Sequence, residues 1–212
     1  MISLRKLPVL VGIVLVTASA AFAQTTGTIN ITGTIPDAVS MTDTSGVPLS
    51  TTVALGVLTP GDTAAMATGA ATVRLRSNKA YTLSAVAAIS YGAVVPDNGG
   101  DPITLADIGF AITGLTLTGA NVATGGSHSV TSGFNLPGAW PASTDGLTPG
   151  FGRTLNNITT STQILSGSRI SKKGNMMTND NFIGVTLGVA VLPQYFTPNG
   201  FTATITLTMA SQ

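Results

Sequence analysis

The chain has 212 residues, with nine Lys and Arg, eight acidic residues and one His, giving a formal net charge of +1. That balance offers no electrostatic basis for binding nucleic acid or an anionic membrane surface. With no cysteine, disulfide scaffolds, thiolate metal sites and lipid anchoring through a thiol are excluded. Every acidic residue is an aspartate and glutamate is absent, while Thr, Val, Ile, Gly, Ser and Ala dominate, so composition favours strand over helix.

Arg5 and Lys6 precede an apolar run from Leu7 to Val16, and small residues follow up to Ala21-Phe22-Ala23. This is the pattern of a secretory signal peptide over residues 1–23, with an A-x-A cleavage site. The run is too short to span a bilayer as a helix, so an exported protein without stable membrane insertion is expected. Its mature chain would start near Gln24. Cleavage would remove two of the basic residues and bring the net charge to about −1.

In the mature chain, Thr28 to Ile35 alternates, with Ile29, Ile31 and Ile35 on one face and polar residues on the other. Residues 24–36 therefore read as an N-terminal strand, and 37–212 as a single domain. Ala38 to Thr42 forms a short strand before the turn Asp43-Thr44-Ser45-Gly46. Thr51 to Leu58 reads as another, closed by Thr59-Pro60-Gly61-Asp62. Ala70 to Arg76 and Tyr81 to Ser90 follow, with Ser77-Asn78-Lys79 as a hairpin connection. Pro96 to Pro102 is a loop, and Ile108 to Thr118 is a strand.

Between Gly119 and Gly152 the period weakens, and eight glycines and three prolines mark a long irregular insertion. Thr160 to Leu165 is a further strand and Ser171 to Asn181 a polar loop. Ile183, Val185, Leu187, Val189 and Val191 then alternate with small or polar residues, and Phe201 to Met209 places an apolar residue at every odd position. Eight to ten strands without a helical period predict an all-β fold, an immunoglobulin-like or Greek-key β-sandwich with a long Gly/Pro-rich insertion.

Asn30-Ile31-Thr32-Gly33-Thr34-Ile35-Pro36-Asp37, followed by Val39, Met41 and Ser45-Gly46-Val47-Pro48-Leu49, resembles the mature N-terminus of the alpha-type chaperone-usher pilins. The closing Gly200-Phe201-Thr202-Ala203-Thr204-Ile205-Thr206-Leu207-Thr208-Met209 is similar to that family's last strand. The likeness covers about a third of the mature chain, and residues 97–181 have no counterpart in it. The chain also departs from the type-1-like pattern, because it has no disulfide and ends in Ser211-Gln212 with no penultimate tyrosine. The resemblance implies a structural subunit of a surface fibre, a homopolymer built by donating the N-terminal strand to a neighbour. It also implies a periplasmic chaperone and an outer-membrane usher as partners. On this reading Ile29, Ile31 and Ile35 are the plugging side chains and Gly33 the close-packed position. The alternative is a monomeric secreted adhesion or glycan-binding module.

No catalytic residue, metal site or cofactor is expected. His128 is the only histidine, lacks a nucleophile-elbow context and reads as a solvated loop residue. Asp97-Asn98-Gly99-Gly100-Asp101 offers oxygen ligands for Ca²⁺ but lacks an EF-hand's length and closing glutamate, so it reads as a turn. Trp140 offers a sugar-stacking platform with Phe134 and Phe151, against the plainer reading that it pins the insertion to the sandwich. Arg74 and Arg76, with Lys79 nearby, are candidate contacts for acidic glycans or for a neighbouring subunit's aspartates, against a merely solvated face.

Overall fold

A computed structural model describes residues 30–61, 65–92, 100–119, 122, 126–136, 140, 153–172 and 181–212. It divides into two units, Met1–Ile35 and Pro36–Gln212. The signal-peptide region, Ile29, Asp97 and Phe151 lie outside the described residues.

The second unit is a β-sandwich. Its strands are β1 (Val39–Thr42), β2 (Ala67–Ser77), β3 (Tyr81–Tyr91), β4 (Ile108–Thr118), β5 (His128–Val130), β6 (Thr162–Gly167), β7 (Phe182–Val191) and β8 (Phe201–Ser211). One antiparallel sheet has the order β1-β2-β7-β4 and the other β5-β6-β3-β8. The chain crosses between the sheets after β2, β3, β4, β6 and β7, so most sequence neighbours lie in opposite layers. Among the described residues, no helix is long and apolar enough to cross a membrane.

The alternation that identifies the strands also builds the core. Val73 and Leu75 of β2, and Tyr81, Leu83, Ala85 and Ala87 of β3, are buried together with Phe110 and Ile112 of β4. Ile164 and Leu165 of β6, and Ile183, Val185, Leu187 and Val191 of β7, complete the same cluster. β7 is central in its sheet, and its outward residues Gly184, Gly188 and Ala190 are buried as well. A strand covered on both faces carries small residues where the cover lies close.

Two expected elements take a different form. Ser77-Asn78-Lys79 is an arch between the sheets, not a hairpin, because β2 and β3 belong to opposite layers. Asn78 shapes it by accepting a hydrogen bond from Ala38 N at 2.8 Å and donating one to Pro36 O at 3.0 Å. Lys79 then reaches Asp37 at 2.9 Å. Thr51 to Leu58 is extended but forms no strand; among the described residues, no backbone hydrogen bond joins residues 49–61 to a sheet. Its alternation reflects side-chain burial, since Leu49, Leu55 and Leu58 pack against the core.

Candidate functional site

The two lateral sides of the sandwich are finished differently. On the β4 side, loops bond directly to the edge strand: Phe110 N donates to Arg153 O at 3.1 Å, Ile112 N to Phe134 O at 2.7 Å, and Leu136 N to Ile112 O at 2.9 Å. Phe134 is 2% exposed and meets Phe110 edge-on at a centroid distance of 5.9 Å. That side is sealed over the first half of β4, as buried backbone groups require.

The opposite side is not sealed. β8 is an 11-residue strand that, among the described residues, pairs with β3 alone. Among the described residues, no backbone hydrogen bond reaches its outer edge. Its core-facing residues Phe201, Ala203, Ile205, Leu207 and Met209 are only partly buried. Ile205, Leu207 and Met209 are so although their cross-strand partners Ala87, Ala85 and Leu83 on β3 are buried, while Ala203 and Phe201 lie opposite Ile89, itself partly buried, and the exposed Tyr91. Burial therefore falls away from β3 toward the β8 edge.

In the facing sheet, β1 lies beside β8 but is four residues long. It pairs only with Arg74–Ser77 of β2. Among the described residues, the seven residues Ala67–Val73 thus have a ladder to β7 and none on the other edge. At about 3.4 Å per residue, this free edge is about 24 Å long. Its core-facing positions are Ala67, Gly69, Ala71 and Val73, the first three of them small, where the β1-covered end has Leu75 and Ser77. An unpaired edge above a thinly filled core is a template for another strand.

The space beside Gly69 is taken by the extended 51–58 segment. A Cβ placed on Gly69 would collide with Val53 Cγ1 and lie 3.4 Å from Leu55 Cδ2. Val189, opposite Gly69 on β7, faces the same core. Val53 and Leu55 therefore reach between the sheets by side chain alone.

The expected donor residues sit in the first unit, of which Asn30–Ile35 is described. This stretch has no strand; Ile31 is 94% and Ile35 88% exposed. A Cβ on Gly33 would meet nothing within 4 Å. Leaving large alternating apolar side chains in water is unfavourable, by about 1.5–3 kcal/mol for each isoleucine relative to burial.

The other candidates are more structural than their sequence context implies. Arg74 lies over the Phe182 ring with Cζ 4.5 Å from the centroid, and Arg76 lies 5.7 Å from it. The pair shares one aromatic shelf on the outer face of the β1-β2-β7-β4 sheet. Trp140 is half-buried with its indole beside Gly188, where a Cβ would lie 3.4 Å from Cζ2. That contact fits the role of pinning the insertion to the sheet. Phe134 is a core residue and takes no part in a stacking platform with Trp140.

His128 is not a solvated loop histidine. It opens β5, a strand whose three residues are too few to show a period in the sequence. Its Nδ1 shares a 3.1 Å hydrogen bond with Tyr81 Oη, and its Nε2 is buried with no partner among the described residues. Burial lowers the pKa of His128 and raises that of the Tyr81 hydroxyl. Gly167 makes room for the pair, since a Cβ there would meet both rings. Among the described residues, no group of three or more His, Cys, Asp or Glu could hold a metal ion.

Comparison with family models, with characterised proteins and with solved structures gave no match.

Proposed function

We propose that this protein is an exported structural subunit of an extracellular fibre, in which the isoleucine-bearing N-terminal strand of one copy completes the sandwich of the next. The observation that carries this reading is β8: a long edge strand paired, among the described residues, with β3 alone, and with a half-buried apolar face. An eight-residue strand from Thr28 to Ile35 spans about 27 Å when extended, which suits the free length of β2. Its backbone supplies ladder bonds to the outer edge of β8, and its alternate isoleucines reach the thinly filled core at Ala67, Gly69 and Ala71 of the facing sheet. Each copy offers one donor and one slot, so the contact is head-to-tail and propagates as a filament.

The likeness of residues 30–49 and 200–209 to alpha-type pilins agrees with this reading. It adds a periplasmic chaperone that lends a strand during transit and an outer-membrane usher that exchanges it. No chemistry is asked of the subunit.

Deleting residues 24–36 from the precursor tests the proposal. The expected result is a protein that is exported and folded but seen only as monomers by size-exclusion chromatography and negative-stain microscopy. Filaments of ordinary length from that protein would refute it.

A further inference from the structure

Resting on that reading, we propose that residues 51–58 are a removable plug. They hold the acceptor slot closed in the unassembled subunit and yield it to the N-terminal strand of a second copy. Three features converge on this assignment.

The segment is placed in the slot. Val53 and Leu55 sit against the core face of Gly69, on the half of β2 that β1 leaves unpaired. Leu49, Leu55 and Leu58 also pack against the central cluster. These side chains occupy the volume that an incoming strand's alternate isoleucines would take, so plug and donor are mutually exclusive.

Its hold is incomplete. Among the described residues, no backbone hydrogen bond ties 49–61 to β2 or β8. Val53 and Leu55 are half-buried, and Val57 is 90% exposed. A strand that adds ladder bonds to comparable apolar contacts displaces one that has the contacts alone.

It is tethered to permit withdrawal. Residues 43–66 form the long connection between β1 and β2, and Gly56 holds a φ of +73° within it. A segment attached at both ends by a long connection can leave the slot without breaking β1 or β2. The subunit thus keeps its core covered before assembly and opens only when a better-bonded strand arrives.

A reversible tether tests this. The chain has no native cysteine, so Val53→Cys with Gly69→Cys in the mature protein introduces one pair, and replacing valine removes the branch nearest Gly69. Assembly is followed by light scattering and microscopy for wild type, the oxidised pair, the reduced pair, reduced Gly69→Cys and Leu55→Ser. The oxidised pair should remain monomeric and, on reduction, assemble at the rate shown by the reduced Gly69→Cys single substitution, which carries the same added side chain in the slot without the tether. Leu55→Ser, which loosens the plug without touching the donor or β8, should assemble roughly tenfold faster. Assembly of the oxidised pair at the reduced rate would overturn the plug while leaving the fibre reading intact. A pair that does not oxidise would overturn the placement of Val53 against Gly69. If wild type and the reduced pair both fail to assemble, the fibre reading falls and the plug with it.

Discussion

Replacing Ile31 by alanine separates the stability of the subunit from that of the fibre. Ile31 is 94% exposed, so within the subunit Ile31→Ala removes almost no burial. The free energy of unfolding should change by no more than about 0.5 kcal/mol, the ordinary range for a surface substitution. In the proposed contact the same side chain fills the gap above Gly69, where truncating a buried isoleucine costs about 2–5 kcal/mol. The flanking β8 residues are only partly buried, which argues for the lower part of that range, about 2–3 kcal/mol. At 1.4 kcal/mol per tenfold, the subunit-subunit equilibrium weakens by roughly 30- to 150-fold. Urea denaturation of monomers and denaturant-driven dissociation of filaments measure the two quantities on one protein. A loss above about 1.5 kcal/mol in the monomer, with filaments unaffected, would show that Ile31 is an internal core residue and refute the reasoning.

Gly167→Ala should lower the unfolding free energy by about 1–3 kcal/mol in urea titrations, because the new Cβ presses on both the His128 and Tyr81 rings and must move β5. The lowered pKa of His128 means that the unfolded chain binds a proton which the folded chain resists. Stability is therefore whole above the unfolded value near 6.5 and declines as pH falls below it, levelling off beneath the folded value. Urea midpoints between pH 7.5 and 5 should show this slope in wild type and lose it in His128→Gln. Lys79→Ala should cost less than about 1 kcal/mol, since both partners of the Lys79–Asp37 pair are about half exposed; a larger loss would mean that the arch depends on the ion pair and not on Asn78. Gly33→Val should leave monomer unfolding unchanged, because nothing lies within 4 Å of its Cβ, yet impair filament formation.

How much of the fold is legible in the chain depends on what each element buries. β3, β7 and β8 alternate over ten or eleven residues, and a period of two sustained that long belongs to a strand with one face on a core; β4 alternates only as far as Ile112, where a register shift changes the parity. The same signal misleads at Thr51–Leu58, where Val53 and Leu55 alternate because they reach between the sheets, with no ladder formed. Alternation reports burial and is silent on hydrogen bonding. At Asn78, three polar residues between strands suit a hairpin and an arch equally, and only the sheet order distinguishes them. Phe134 looks like a surface residue because the surrounding Gly and Pro conceal any period, yet it packs on Phe110. The apolar alternation of Ile29, Ile31 and Ile35 is plain from the sequence. The slot is not, because an unpaired edge is a property of the sheet order and leaves no mark on β8 itself.

Strand donation is tested most directly by where the N-terminal strand pairs within a filament. Filaments are grown from an equal mixture of two subunits, one isotope-labelled and carrying Thr34→Cys, the other unlabelled and carrying Thr206→Cys on the outer face of β8, with Thr204→Cys and Thr208→Cys tried in parallel to cover register. Oxidation should produce disulfides joining labelled to unlabelled chains at one of these β8 positions. Filaments in which no β8 position cross-links to Thr34→Cys, while a single chain carrying both substitutions closes the bond within itself, would contradict strand donation between copies.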